Sequence, residues 1–310
     1  MTKIERINRV LAVFSISRSG HHAIIDWIYD SVLPNKAFIN DPDFENPLGS
    51  RRTFYVNANK YVNRESFITH YGGAPGRREL AELRMLDLLN NGWAIEPKKC
   101  ESGLVLIKTL IVNFENYDLN GSHENLFACL DTICENVNER IAIIIIRNPF
   151  NLLASRILHG GPITNLERRS NVLDFEGVLN LWRGYAEKVI NAGKVNGFDK
   201  TIIIKYDEWM RSPLIKRRLG SDLELEKVRL HWNDVPIYGG GSSFDKYRYM
   251  GRGEMMKTLD RWRQLAFSDL DTHLSKRVQF GELFRNNVDI RSLSAQIFGD
   301  TDGIGQLFNE

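Results

Sequence analysis

Cysteine is scarce in this chain. The three in 310 residues, Cys100, Cys129 and Cys134, are odd in number and show neither a C-x-x-C pair nor metal-like pairing with histidine. That excludes a disulfide framework and points to thiols in a reducing compartment. Proline is sparse too, at nine. No Pro-, Ser- or Gly-rich tract divides the chain and no internal repeat shows, so a single domain over residues 1–310 is expected. Charge of one sign is also missing: 41 basic against 39 acidic residues leave +2. A global field that recruits nucleic acid or an anionic membrane is thereby excluded. No apolar run is long enough for a membrane span, and the apolar run near the start has no small-residue cleavage site. A soluble, cytoplasmic protein is the expectation. G-x-x-x-x-G-K-[ST] is absent as well, and with it the lysine and metal-binding hydroxyl of a Walker A loop.

What the chain does have is a strand-turn-helix unit near its start. With 43% hydrophobic and 26% charged residues it can bury a full core. Val10-Leu11-Ala12-Val13-Phe14-Ser15-Ile16 is almost wholly apolar and stops at Ser17-Arg18-Ser19-Gly20. Helical periodicity follows at once, with Ile24, Trp27 and Ile28 on one face. Such a turn aims unpaired backbone N–H groups and the positive end of a helix dipole at one point. Arg18 and the Ser17 and Ser19 hydroxyls add further donors. That point wants an anion, although a plain structural turn stays open on this observation alone.

The first helix is expected to end near Leu33, before Pro34. Residues 35–76 are rich in Asn, Asp, Pro, Gly and aromatics without sustained periodicity, and read as a substrate-side excursion or a poorly ordered insertion. Leu80, Leu83 and Leu86 predict a helix over residues 77–89. Residues 103–110 read as a buried strand that ends in Lys108-Thr109. Ser122 then caps a helix carrying Leu126, Phe127, Leu130, Ile133 and Val137 along one stripe. Ile141-Ala142-Ile143-Ile144-Ile145-Ile146 is apolar on both faces, as a central parallel strand requires. It terminates in Arg147-Asn148-Pro149, with Pro149 suited to the first position of a helix. Asp174 caps a long helix closed by Gly193, and a further strand, Thr201-Ile202-Ile203-Ile204-Lys205-Tyr206, precedes Asp207. Strands and helices alternating at this spacing predict an α/β fold with a central parallel sheet and helices on both faces. Beyond it come a Gly-Ser segment at residues 239–243, a basic run with Arg248, Arg252 and Lys257, and helices over residues 259–265 and from Ser268.

In an open parallel sheet, ligands sit outside the C-terminal strand ends. Three polar clusters are expected there: Arg18-Ser19-Gly20, Lys108-Thr109, and Arg147 with Ser155 eight positions later. Arg147 and Ser155 can converge on one phosphate, or Arg147 can pair with a neighbouring carboxylate.

These clusters, with Tyr206-Asp207-Glu208-Trp209-Met210 and Pro213, occur in the order and rough spacing of the sulfotransferases that use 3′-phosphoadenosine 5′-phosphosulfate. The chain resembles that family over residues 10–215, with a looser match at residues 257–265, where Arg261-Trp262-Arg263 resembles its C-terminal phosphate-binding region. The resemblance implies a P-loop-like three-layer fold. It implies that Ser17, Arg18, Ser19, Gly20, His21, His22 and Ala23 surround the 5′-phosphosulfate, that Arg147 and Ser155 grip the 3′-phosphate, and that Tyr206 adjoins the adenine. Residues 239–267, with Arg252 and Lys257, would close over the cofactor; a flexible surface loop is the other reading. Arg18 would balance charge on the bridging oxygen and Lys108 would supply a second cation. Adenosine 3′,5′-bisphosphate would be the product.

Many small-molecule members follow Lys-Thr with a histidine base, and here that position is Leu110. His21, His22, Asp41, Asp43, Glu45 and His70 are the candidates to replace it. Arg18, arginine in many carbohydrate-directed members, points to a carbohydrate or glycoconjugate acceptor. Arg51-Arg52 and Arg77-Arg78 suit an acidic acceptor or a solvated surface. No metal is expected, since no His/Asp/Glu cluster stands at ligand spacing. A kinase or nucleotide hydrolase, or a non-catalytic nucleotide-binding domain, are the alternatives.

Overall fold

The structure, a computed structural model, describes residues 7–32, 36–42, 44, 55–57, 109–134, 136–158, 174–231, 258–266 and 274–299. β1 (Ile7–Ser15) leads through the turn into α1 (His21–Ser31), and β2 (Lys36–Asn40) and β3 (Tyr55–Asn57) follow. Next come β4 (Thr109–Glu115), α2 (Glu124–Ile133), β5 (Val137–Ile146) and α3 (Pro149–Leu158). α4 (Phe175–Ile190), β6 (Lys200–Lys205), α5 (Tyr206–Arg211) and α6 (Pro213–Asp222) complete the alternating part. α7 (Arg261–Ala266), α8 (Leu274–Asn286) and α9 (Val288–Phe298) close the described chain.

The strands form one sheet in the order β3-β2-β4-β1-β5-β6. Five are parallel, and β3 pairs antiparallel at the edge. Alternation along the strands sorts the side chains into two cores. Val10, Ala12, Phe14, Ala142, Ile144 and Ile146 face α2, α3 and α4, whereas Leu11, Val13, Ile141, Ile143 and Ile145 face α1, α5 and α6. The fold is therefore α/β with helices on both faces. The isoleucines at 143, 144 and 145 of β5 are fully buried, each contributing about 1.5–3 kcal/mol of transfer free energy.

β1 and β4 are neighbours, yet α1 after β1 and α2 after β4 lie on opposite faces. This is a topological switch point, where a crevice opens beyond the strand ends. Ser15 and Glu115 pair at that end.

Several expectations need correction. Of the strand expected over residues 103–110, residues 103–108 lie outside the described residues; β4 is described from Thr109, in register with Arg9, and runs on past the expected end to Glu115. Asn113 inside it is satisfied by neighbours, accepting from Ser15 Oγ at 3.1 Å and donating to Asn40 Oδ1 at 2.8 Å, so a polar residue interrupts the apolar run without ending the strand. Residues 36–40 are a core strand, so the expected excursion does not begin at 35. Val137 opens β5 instead of ending the α2 stripe. His123, not Ser122, is the N-cap residue of α2, although Ser122 Oγ accepts from the Glu124 N–H at 3.3 Å. Pro149 does open α3, and Asp174 does cap α4 by accepting from the Gly177 N–H at 2.7 Å. The expected helix over residues 77–89 and the Gly-Ser segment lie outside the described residues, as does Ser268, after which α8 is described from Leu274.

Candidate functional site

The turn between β1 and α1 sits at the switch point with an unusual backbone. Arg18 and Gly20 both adopt the left-handed region, at φ 74° and 81°. For a non-glycine residue this conformation costs about 1–2 kcal/mol, so contacts must hold Arg18 there. Two arginines supply them. Arg156 Nη2 donates to the Ser17 carbonyl at 3.0 Å and also to Ser17 Oγ. Arg147 Nη1 donates to the Arg18 carbonyl at 3.1 Å.

The turn's own N–H groups are partly spent. The Ser17 N–H donates to Asn116 Oδ1 at 2.9 Å, Ser19 to the Ile16 carbonyl at 2.9 Å and Ala23 to the Gly20 carbonyl at 3.1 Å. Ala23, expected among the residues around the 5′-phosphosulfate, has therefore no backbone N–H to give it: helix geometry has already used it. Among the described residues, Arg18, Gly20 and His21 keep backbone N–H groups without a protein acceptor, and they cluster at the crevice.

Arg147 lies just beyond β5, its carbonyl accepting from Trp182 Nε1 at 2.8 Å. Its guanidinium stacks over Tyr206, with Cζ 4.9 Å from the ring centroid, and its Nη2 donates to the Thr258 carbonyl. Ser155 lies two turns into α3 and is fully buried; its Oγ accepts from Arg261 Nη1 at 3.1 Å. Asn151 ties α3 to the start of α7 by donating to the Leu259 carbonyl at 2.8 Å. Four guanidinium groups, on Arg18, Arg147, Arg156 and Arg261, are therefore drawn to one region. Arg147, Arg156 and Arg261 are at most 7% exposed. Among the described residues no carboxylate lies within ion-pair distance of Arg18, Arg147 or Arg156. Arg147 Nε, Arg156 Nε and Thr258 Oγ1 are buried and find no hydrogen-bond partner there.

Such groups are costly to leave bare. Burial, with Arg18 nearby, lowers the Arg156 pKa to about 10. Burial lowers Arg18 too, against the pull of Glu115. The cheapest remedy for several desolvated cations with spare donors is a bound polyanion.

Glu115 ends β4 beside the turn. Its Oε1 lies 2.8 Å from His21 Nε2 and 3.5 Å from His22 Nε2, and His21 Nδ1 lies 3.3 Å from Ser19 Oγ. Burial would raise the Glu115 carboxyl, but His21 and His22 hold it well below the usual carboxylate range. Burial, together with the charge of His21, pushes His22 down to about 4. No such cluster stands at ligand spacing along the chain, yet these three donors lie within 4.8 Å of one another, because the fold brings together positions far apart in it.

No family model matches the chain, and no curated protein matches it. Among solved structures it is similar to the sulfotransferase domain from the Synechococcus PCC 7002 olefin synthase, at 13% identity over 91% of this chain and 96% of that one, with a TM-score of 0.45. It is similar to the sulfotransferase domain from the curacin biosynthetic pathway at 11% identity over 91% and 99%, with a TM-score of 0.42. Retinol dehydratase in complex with androsterone and inactive cofactor PAP is a further neighbour at 15% identity over 92% and 82%, with a TM-score of 0.39.

The structure brings Ser17, Arg18, Ser19, Gly20, His21, His22, Arg147, Ser155 and Tyr206 to one end of the sheet. Thr109, of the expected Lys108-Thr109 cluster, is not among them. Thr109 opens β4 opposite Arg9, at the far end of the sheet from Ser15 and Glu115. Lys108 itself, with Arg252, Lys257, Asp43, Glu45, His70, Arg51, Arg52, Arg77 and Arg78, lies outside the described residues, and Asp41 follows β2. Leu110 is fully buried beside Val10 in the sheet, so it says nothing about the base. Sequence reasoning missed Glu115 and Arg156. A signal for Arg156 was present: it adjoins Ser155, one residue further along a helix already read as facing the site.

Proposed function

We propose that this chain is a sulfotransferase that moves a sulfuryl group from 3′-phosphoadenosine 5′-phosphosulfate to a hydroxyl or amine of a carbohydrate or glycoconjugate. The observation that carries the reading is that Arg147 and Arg156 grip the turn that holds Arg18 while Arg261 reaches Ser155 on α3, with the buried Nε groups of Arg147 and Arg156 unpartnered among the described residues. One phosphate does not need four guanidiniums. A nucleotide with a 5′-phosphosulfate and a 3′-phosphate does. The free N–H groups at Arg18, Gly20 and His21 take the former, and Arg147, Ser155 and Arg261 take the latter.

In the transfer, the acceptor oxygen attacks sulfur in line, and the bond from sulfur to the bridging oxygen breaks. Arg18 balances the charge that develops on that oxygen. The acceptor's proton goes to the cluster of His21, His22 and Glu115, which adjoins the turn. Glu115 supplies the carboxylate that carbohydrate-directed members commonly use, and this, with Arg18, supports the acceptor class. Incubation with donor labelled in the sulfuryl group and a panel of glycans and phenols tests the reading. Label on a glycan is expected, and label confined to phenols would reverse the acceptor assignment.

A further inference from the structure

Two imidazoles and a carboxylate meet at the mouth of the crevice from two rigid elements, the first turn of α1 and the last residue of β4. We infer that His21, His22 and Glu115 form a binding site for a divalent transition metal of the zinc class. The chain shows no such site along its length, because 93 positions separate His22 from Glu115.

Zinc binds imidazole nitrogen and carboxylate oxygen at about 2.0–2.1 Å, which sets tetrahedral ligands about 3.3 Å apart. The separations here bracket that spacing, at 2.8 Å from His21 Nε2 to Glu115 Oε1 and 3.5 Å from His22 Nε2 to the same oxygen. All three donor atoms fall within 4.8 Å of one another. Both histidine-to-carboxylate separations are thus close to what a shared metal needs, and side-chain rotation has to bring the two imidazole nitrogens to the same spacing. The outer contact is in place as well, since His21 Nδ1 lies 3.3 Å from Ser19 Oγ, as a ligating histidine's second nitrogen requires. Two histidines and one carboxylate leave at least one coordination position open.

The open position adjoins the turn, so its natural occupant is an oxygen ligand. Resting on the sulfotransferase reading, that ligand is the acceptor hydroxyl. With the metal bound, the two imidazoles and the carboxylate are occupied as ligands and no longer take the acceptor's proton: coordination lowers the hydroxyl's pKa and the proton leaves to solvent before the oxygen attacks sulfur. Arg18 and Arg156 oppose a bare dication here, and a bound nucleotide dianion offsets them. Metal and nucleotide should consequently bind with positive coupling, each raising the other's affinity by the same factor.

The test is titration of the full chain, stripped with chelator, by cobalt(II) alone and then with adenosine 3′,5′-bisphosphate. One equivalent is expected to bind saturably and give the intense visible bands of a tetrahedral nitrogen–oxygen site. Glu115→Gln and His22→Ala should each weaken binding at least tenfold, while His123→Ala, on the loop before α2, should leave it unchanged. Histidine ring resonances of the wild type, followed during zinc addition, give a readout that needs no variant to fold. Absence of saturable binding by the wild type, or ring shifts at other histidines only, would overturn the site. Nucleotide binding measured in chelator stands apart, so loss of either activity identifies which assignment has failed.

Discussion

Gly20 and Tyr206 pack against each other so closely that a Cβ built on Gly20 would lie 2.7 Å from Tyr206 Cζ. The ring thereby fixes the end of the turn, and the Arg147 guanidinium also stacks over it. The strand end at β6, the turn after β1 and the arginine after β5 are locked to one another through this ring.

Gly20→Ala carries two penalties, the clash with Tyr206 and the left-handed φ of 81°. Thermal denaturation should show a loss of about 2–4 kcal/mol, combining overpacking with the left-handed cost. Tyr206→Ser in the same chain should recover the clash portion alone. A fully additive double mutant would show that the two residues do not touch.

Arg147→Ala removes a guanidinium that holds the Arg18 carbonyl and faces the assigned 3′-phosphate. Charge-assisted hydrogen bonds are worth roughly 1.5–3 kcal/mol each, so calorimetry should show adenosine 3′,5′-bisphosphate binding weakened by one to two decades. Binding of adenosine 5′-phosphate, which lacks the 3′ group, should fall by much less.

Arg156 is a desolvated cation with an unpartnered Nε. Its replacement by the uncharged Arg156→Met removes an electrostatic cost along with two hydrogen bonds to Ser17, so the ligand-free melting temperature should change little. Nucleotide binding should drop at least tenfold. Large destabilisation with intact binding would assign Arg156 to the fold alone.

His22 supplies a pH signature in chelator. Its folded pKa of about 4 lies below the ordinary 6.5, so the unfolded chain takes up the proton first as pH falls. The contribution is fully present above about pH 6.5 and is lost progressively down to about pH 4, to the extent of about 3 kcal/mol. Glu115, depressed in the fold, adds a further loss below its ordinary range. His22→Asn should flatten the upper part of the curve in urea denaturation across pH 4–7, and a curve unchanged by the substitution would contradict the burial of a neutral imidazole.

The β1-turn-α1 unit and the β5 strand were legible because apolar runs there stop at polar residues with special turn chemistry. β4 misled for the same reason. Lys108 interrupts the apolar stretch and looks like its end, whereas a buried strand continues through Thr109–Glu115, with Asn113 made tolerable by Ser15 and Asn40. That one shift displaced the expected base to Leu110 and hid Glu115, whose importance comes from partners that only the parallel pairing of β4 with β1 brings alongside. Ala23 was overread because the first turn of α1 spends its N–H on Gly20.

The central claim is a site for a nucleotide with two anionic groups, and thermal denaturation with adenosine 3′,5′-bisphosphate tests it most directly. At a ligand concentration about 100 times Kd the wild type should gain about 2.7 kcal/mol, with little gain from adenosine 5′-phosphate at the same concentration. Arg147→Ala should lose most of the gain. No stabilisation of the wild type, or equal stabilisation by both nucleotides, would contradict the account.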